Sequence, residues 1–472
     1  MVRHALRALM IGFVVLCACL AGMPTACASR DLTPQQLRED LDALVGVIDQ
    51  QHPDLRHSTD PVELSSKVAS LRRRLNHAMT RDEAWRTLAT LNPVLADGHL
   101  FIAFPDWRKE SAQHLERGGA FFPFEVYVDP HGAVFVRSKL GGEPSTLAGA
   151  RIETINGVSA SKIANSLLER VHGDTPLFRS DLLSKRWWLY YWKEYGAPLK
   201  YRLRIGGRSS AAVAAMDASR EKPLILQIEN SFERQFMLEL LPENTALLTI
   251  GSFAWPDKER FFEFTRDAFS RVRNANVGTL LIDVRSNGGG DDDMWQNGIL
   301  RYVASQPYRN GSRYALRIVE GHQDEGEVIG EVVRGDQDKW IQPETDNPLH
   351  FSGKTYVLVG AGTYSSAILF ANVIHDCGFG AVAGVGGSAR TRQSGGVQKF
   401  VLPHSGLVLW WPRFVLSRPS GAPEPQLLTP DIPLEENPYD PNGMVKTFLQ
   451  LADPAQHQPD KQFSIGVGTC AG

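Results

Sequence analysis

The first hundred residues place apolar side chains at helical spacing. Leucine, valine, isoleucine and tryptophan recur every three to four positions over 37–48, 62–75 and 85–94, which predicts three amphipathic helices. The third helix is expected to end near Asp97-Gly98, with His99 just beyond it and an apolar strand over 100–104. The pattern therefore predicts an N-terminal helical domain over residues 29–115.

Beyond this segment the pattern changes to short β-type runs. Such runs cover 121–127, 134–137 and 151–155, and glycines and the turn pair Asn156-Gly157 separate them. This predicts a β-rich module over residues 116–208. The aromatic cluster over 187–195 has few basic residues interleaved with it, so we expect a packing helix rather than a stacking platform for bases or sugars.

From residue 232 onward, strand-type and helix-type segments alternate. The prediction is strand 246–250, helix 257–273, strand 278–284, a helix from 291, strand 355–360, helix 366–376 and strand 381–384. This alternation is typical of an α/β layer with a buried sheet. We assign it to a core over 209–440, with 321–349 as an inserted surface loop and 441–472 as a C-terminal tail.

The N-terminal segment resembles an export signal. Arg3 and Arg7 precede an apolar run over 8–21, and Ala26-Cys27-Ala28 has the small residues of a cleavage site. The run is shorter than the roughly 20 residues needed to span a bilayer. We therefore predict a cleaved signal peptide over 1–28 and a periplasmic or secreted protein. Lipid anchoring through Cys27 ranks lower, because Pro24 stands where a lipid-attachment box has a branched apolar residue.

Composition narrows the function classes. The 472 residues include 50 Lys+Arg and 53 Asp+Glu, for a formal charge of −3, so no basic excess favours nucleic acid as a partner. The five cysteines form no CxxC pair, which argues against a structural zinc site. We predict no metal and no cofactor. Pairing of Cys377 with Cys470 is left open.

Two segments could carry chemistry. In the first, a strand over 280–284 runs into Gly288-Gly-Gly290, where backbone amides can face a cleft. Three aspartates follow, which disfavours a phosphate loop. In the second, a strand over 356–359 leads to Ser365 and Ser366 at a helix start, where amides and the helix dipole favour a developing anion. A serine at this position is most often only an N-cap.

The two segments together resemble the tail-specific, or C-terminal processing, serine peptidases. The shared order is a strand, D-x-R-x-N-G-G-G, about seventy residues, a second strand, G-T-x-S and a helix, and the resemblance spans roughly 35–440. Relatives include the tricorn protease core and the interphotoreceptor retinoid-binding proteins. Residues 148–157 are similar to a PDZ stretch. The resemblance implies an α+β multidomain fold with a PDZ-like module, a ClpP/crotonase-like α/β core and a polypeptide substrate.

The resemblance also implies site residues. Ser365 matches the nucleophile. The lysine base of one branch would fall on Arg390 or Ser394, and an arginine stays protonated at any working pH, so a Ser-Lys dyad is excluded. The tricorn-like branch instead uses a histidine and a glutamate, which here match His99 and Glu424. Together with Ser365 they would form a Ser/His/Glu triad.

The same resemblance implies an oxyanion hole made by the amides of Gly288 or Gly289 and of Ser366. Two other functions remain open: a non-catalytic protein that binds apolar ligands or peptides on this fold, and an esterase-like hydrolase. Residues 118–122 are the candidate carboxylate-binding loop of the PDZ-like module, which leaves open whether free C-termini are preferred. The oligomeric state is not readable from the sequence.

Overall fold

The computed structural model describes residues 31–206, 211–421 and 426–452. The predicted signal peptide, Glu424 and Cys470 lie outside these ranges. Cys377 is buried and disulfide-bonded. None of the helices within the described ranges combines the length and apolar character needed to cross a membrane.

Helices α1 to α14 span, in order, Pro34–Gln51, Pro61–Arg74, Arg81–Leu88, Asn92–Leu95, Trp107–Glu116, Ala160–Leu168, Pro176–Tyr195, Leu224–Ile228, Phe232–Gln235, Lys258–Asn274, Asp292–Trp295, Arg301–Val303, Ser366–Asp376 and Gly443–Ala452. Short 3₁₀ segments cover Leu55–His57 and Ala89–Leu91, and a π-helical turn covers Gln296–Leu300.

Strands β1 to β17 span Phe101–Ala103, Phe124–Val128, Val134–Lys139, Arg151–Ile155, Val158–Ser159, Lys200–Gly206, Ala211–Asp217, Phe236–Leu241, Thr245–Ile250, Thr279–Asp283, Arg313–Arg317, Val332–Asp336, Lys354–Val359, Ala381–Gly384, Gln393–Val401, Val408–Leu416 and Ile432–Pro433.

The strands form three sheets. The central sheet has the order β17-β14-β13-β10-β9-β8, in which only β8 is antiparallel to its neighbour. Its middle strands are apolar on both faces, as expected for a parallel sheet covered by helices. Helix α13 follows β13 and is almost wholly buried. This arrangement confirms the predicted α+β multidomain fold and the predicted alternation in the core.

The second sheet connects the N-terminal segment to the core. Strand β1 pairs with β16 through Phe101↔Trp410 and the two following residues, and β15 and β11 also pair with β16. Strand β12 pairs with β11, so the prediction of 321–349 as a loop was wrong. Because β1 begins two residues after His99, this pairing holds the histidine against the core.

The third sheet has the order β2-β3-β4-β6-β7, with β5 on β4. It continues to Asp217, so the predicted boundary at 208 falls between two strands that pair with each other. The aromatic segment is α7, in which Trp187 and Trp188 are buried as predicted.

Two further expectations do not match the structure. The predicted tail contains α14, whose Phe448 is 1% exposed and packs with residues of the central sheet. The predicted carboxylate-binding loop also has engaged amides: Gly118 and Gly119 donate to carbonyls of α5, and Phe121 donates to Ser219. These amides are therefore not free to bind a peptide carboxylate.

Candidate active site

Ser365 lies at the turn between β13 and α13. Its backbone has φ 55° and ψ −127°, an unusual conformation for a residue with a Cβ atom. The side chain makes no capping hydrogen bond, so the N-cap explanation of this serine does not apply. Strain of this kind persists only where the surroundings impose it and is found mainly at functional sites.

The surroundings hold this turn from both sides. The Ser365 amide donates to Gln393 Oε1 at 3.1 Å. The preceding Tyr364 amide donates to the Asn287 carbonyl at 3.0 Å. Thr363 Oγ1 donates to the Val284 carbonyl at 2.8 Å. The turn over 363–366, which we call the nucleophile turn after the candidate Ser365, is thus fixed to the segment that follows β10 and to the first residue of β15.

His99 faces Ser365. The distance from His99 Nε2 to Ser365 Oγ is 2.9 Å, although the two residues are 266 positions apart in the chain. His99 is 9% exposed. Burial lowers the pKa of this imidazole below its ordinary value, and the nearby Asp97 carboxylate opposes the shift. The ring is therefore neutral at pH 7 and can accept the serine proton.

The other ring nitrogen is held by a hydroxyl and a carboxylate. His99 Nδ1 lies 2.9 Å from Ser394 Oγ, which donates to Asp97 Oδ1 at 2.8 Å. Burial raises the pKa of Asp97, but the adjacent histidines, led by His99, and the His99 amide outweigh it, so the net shift is downward. An ionised carboxylate only accepts. Ser394 must then donate to Asp97 and accept from Nδ1–H, which leaves Nε2 as the acceptor for Ser365.

The loop that carries His99 is itself anchored. Ala96 has φ 48°, and its carbonyl accepts from the Arg390 guanidinium at 2.6 Å. The Gly98 amide donates to the Tyr364 hydroxyl at 2.8 Å, and a Cβ at Gly98 would lie 2.5 Å from that ring. The hydroxyl in turn donates to Asp174 at 2.7 Å. Histidine loop and nucleophile turn are therefore packed directly against each other.

Of the backbone amides predicted to bind the oxyanion, one already donates a hydrogen bond within the protein and two do not. The Gly289 amide donates to Asn287 Oδ1 at 2.8 Å, so its prediction as an oxyanion donor was wrong. Among the described residues, the amides of Gly288 and Ser366 have no hydrogen-bond acceptor. A Cβ placed on Gly289 would lie 2.9 Å from the Ser366 amide nitrogen, so the glycine segment lies beside this helix start.

The side chain of Ser366 is engaged elsewhere. Its hydroxyl donates to Asp292 and accepts from Trp295 Nε1, the latter at 2.8 Å. Burial raises the pKa of Asp292. Ser366 therefore does not compete with Ser365 for His99. His375, at the far end of α13, pairs with Asp376 and Asp431 and has no contact with Ser365.

Sequence reasoning missed several residues of this site. Asp97 was noted only as part of the histidine motif, and Ser394 only as a position where a lysine base is missing. No sequence motif pointed to Tyr364, Asp174 or Gln393. Each of them contributes to the site through hydrogen bonds to segments that are distant in the sequence. Glu424, the predicted orienting carboxylate, lies outside the described residues.

Part of this chain matches a known family, and its fold is similar to solved structures. Residues 244–434 match the family model of peptidase family S41. Mature CPAF complexed with lactacystin is 13% identical, with 88% of this chain and 98% of that chain covered and a TM-score of 0.63. Mature CPAF alone is also 13% identical, with 88% and 97% covered and a TM-score of 0.61.

These structures share the fold of this chain. A comparison with curated proteins gives no match. The match to the family model covers β9, β10 and β13, the glycine segment and the nucleophile turn. Residues 244–434, which carry this candidate site apart from the loop of His99 and Asp174, therefore match peptidase family S41.

Proposed function

We propose that this protein is an exported endopeptidase-type hydrolase in which Ser365 is the nucleophile and His99 the general base. The observation that carries the proposal is the 2.9 Å contact between Ser365 Oγ and His99 Nε2 at a strained turn. Such a pair is the minimal requirement for activating a hydroxyl nucleophile.

The proposed reaction follows from the hydrogen-bond directions. His99 Nε2 takes the Ser365 proton as Oγ attacks the peptide carbonyl, and the amides of Gly288 and Ser366 stabilise the oxyanion. The imidazolium is stabilised by Asp97 through Ser394. His99 then protonates the leaving amine, and a water activated by His99 hydrolyses the acyl-enzyme. No metal or cofactor is needed for these steps.

The orienting carboxylate is proposed to be Asp97, because it is connected to His99 Nδ1 through one hydroxyl. The earlier candidate, Glu424, stays a prediction. Substitution of each by the amide distinguishes them: Asp97→Asn is expected to lower kcat by orders of magnitude. If Glu424→Gln has that effect and Asp97→Asn does not, the assignment is reversed.

A fluorophosphonate probe tests the nucleophile. We expect it to label Ser365, as mapped by mass spectrometry, and to leave Ser365→Ala unlabelled. An unstructured polypeptide and a simple ester are then compared as substrates. Cleavage of the ester alone would indicate the esterase-like alternative. Absence of labelling and of all hydrolysis would indicate the non-catalytic binding protein.

Export is proposed from the predicted signal peptide over 1–28. N-terminal sequencing of the mature protein, recovered from the cell exterior or periplasm, is expected to begin at Ser29. A lipid-modified N-terminus at Cys27 would indicate anchoring instead, and an intact Met1 in the cytoplasm would contradict export.

A further inference from the structure

A cavity of about 270 Å³ lies between the N-terminal segment and α7. Its walls come from β1, α7, β16 and the segment that leads into α5. Six of the fifteen lining residues are aromatic: Trp85, Phe101, Phe104, Trp107, Tyr190 and Trp410. A concave, mostly apolar site with few polar groups is typical of a ligand pocket.

Two residues that line the cavity lie two positions along the chain from residues of the candidate active site. Phe101 follows His99 by two residues, and His172 precedes Asp174 by two. The rings of Phe101 and His172 stack with centroids 3.7 Å apart and planes 7° apart, and both line the cavity. His99 is among the groups that lower the pKa of His172, so this wall of the cavity lies near the candidate general base.

Four charged side chains line the cavity, and three of them are engaged. Arg108 pairs with Glu229 at 2.8 Å, and Lys193 pairs with Glu110 at 2.7 Å. Asp106 accepts from an amide at the start of α5. Burial lowers the pKa of the remaining titratable group, His172, to about 3, so this ring is neutral at pH 7.

The fourth charged side chain in the cavity wall is Arg186. Within the described ranges it forms no ion pair and no hydrogen bond, and its Nε is fully buried. It contacts the ring of Trp107, whose centroid lies 5.1 Å from the guanidinium carbon. An aromatic face attracts a cation but does not accept its N–H groups in the directed way a carboxylate does.

The backbone at Arg186 is also exceptional. It has φ −126° and ψ 21°, which interrupts α7 in the middle of its course. Arg186 is half-buried. Its guanidinium remains charged at any working pH, and its buried Nε–H has no acceptor, which costs free energy. The Arg186 guanidinium therefore lines an aromatic cavity, in which the anionic group of a ligand would compensate its positive charge.

We propose that this cavity is a substrate subsite in which Arg186 binds a carboxylate of the polypeptide close to the scissile bond. The proposal deepens the proposed function and rests on it. The carboxylate can come from an Asp or Glu side chain or from the C-terminus of the substrate. The amides of Gly118, Gly119 and Phe121 are engaged, which leaves Arg186 as the more suitable group for either source.

Matched peptides test the proposal. One series carries Glu, Gln or Leu at each position flanking the cleaved bond, and a second compares a free with an amidated C-terminus. For the wild-type protein we expect kcat/KM to favour the carboxylate over its amide by roughly tenfold in one series, since charged hydrogen bonds contribute about 1.5–3 kcal/mol. The series in which this occurs identifies the source.

Variants then assign the preference to Arg186. Arg186→Met is expected to reduce the ratio to about one, and Arg186→Lys should retain part of the preference. Lys185→Met removes the same charge from the adjacent position, whose lysine pairs with Asp181, and should keep the full ratio. A wild-type ratio near one in both series, or a ratio unchanged in Arg186→Met, would overturn the proposal.

Failure of the proposed function is separable from failure of the subsite. If Ser365 is not labelled and no peptide is cleaved, calorimetry on the Ser365→Ala protein still measures binding of the Glu and Gln peptides. Tighter binding of the Glu peptide that disappears in Ser365→Ala/Arg186→Met supports the subsite. Equal binding of the two peptides contradicts it.

Discussion

The hydroxyl of Ser394 donates to Asp97 Oδ1 at 2.8 Å and lies 2.9 Å from His99 Nδ1. It is the only connection by hydrogen bonds between that ring nitrogen and a carboxylate among the described residues. Asp97 also accepts from the His99 amide at 2.7 Å. The same carboxylate thus fixes the backbone of the histidine directly and its tautomer through a serine.

Ser394→Ala should lower kcat by roughly 10- to 100-fold and leave KM nearly unchanged, because it removes a hydrogen bond that strengthens when His99 is protonated. Steady-state kinetics on one peptide measure both constants. Ser405→Ala, a buried serine bonded to the Leu407 amide, serves as the control and should retain wild-type kcat. A rise in KM alone would indicate that Ser394 acts on substrate binding.

The acid limb of the pH–rate profile should lie below pH 6.5. Burial lowers the pKa of His99, so the base stays neutral to a lower pH than a free imidazole, and kcat/KM falls only as the pH drops through that lowered value. Asp97→Asn should move the limb lower still, since the carboxylate opposes the shift. His99→Gln should abolish the limb and most of the rate. A wild-type limb above pH 7 would contradict a buried histidine base.

Ser365→Gly and Ser365→Ala should both lose hydrolysis but differ in stability. Position 365 has φ 55° and no side-chain cap, so glycine relieves backbone strain of about 1–3 kcal/mol at the cost of about 1 kcal/mol of unfolded-state entropy. Urea unfolding should find the glycine variant at least as stable as the alanine variant. A clearly less stable glycine variant would show that the turn is not strained.

Gly289→Ala should displace the nucleophile. Gly289 has φ +102°, and a Cβ there would lie 2.5 Å from Ser365 Cβ. We expect loss of fluorophosphonate labelling and destabilisation of about 1–3 kcal/mol. Gly288→Ala is the stability control, because a Cβ at that residue meets nothing within 4 Å. Its free energy of unfolding should stay within about 0.5 kcal/mol of wild type. Equal stability of the two variants would contradict the close packing.

Phe448→Ala should destabilise the protein by about 3–5 kcal/mol, the cost of truncating a buried aromatic residue. Phe448 is 1% exposed, whereas Leu451 on the same helix is 41% exposed. Leu451→Ala should therefore change stability by less than about 0.5 kcal/mol. Thermal unfolding of both variants measures the difference. Similar small losses would show that α14 does not belong to the folded core.

The local elements of the core were predictable because each carries its own signal. The helix over 366–376 and the strand over 381–384 were predicted with the bounds that the structure shows. Apolar runs bounded by glycine and polar residues specify such elements without reference to the rest of the chain. The motifs at 283–290 and 363–366 likewise indicated the family whose model matches residues 244–434.

Apart from β1, the strands of the second sheet were not predicted. Strands β15 and β16 depend on pairing with each other and with β1, some 300 residues earlier. Strand propensity depends strongly on such neighbours. As a consequence, the sequence offered no reason to place residue 394 beside residue 99.

The sequence by itself determined which residues could react: a serine at a helix start, a histidine after a helix and glycines that admit close backbone approach. Only the tertiary structure decided how they are used. It joined His99 to Asp97 through Ser394, engaged the Gly289 amide with Asn287 and, among the described residues, left Arg186 without an ion pair to a carboxylate. The physical reason is that hydrogen-bond partners and burial set proton positions and charge compensation, and both come from segments far apart in the chain.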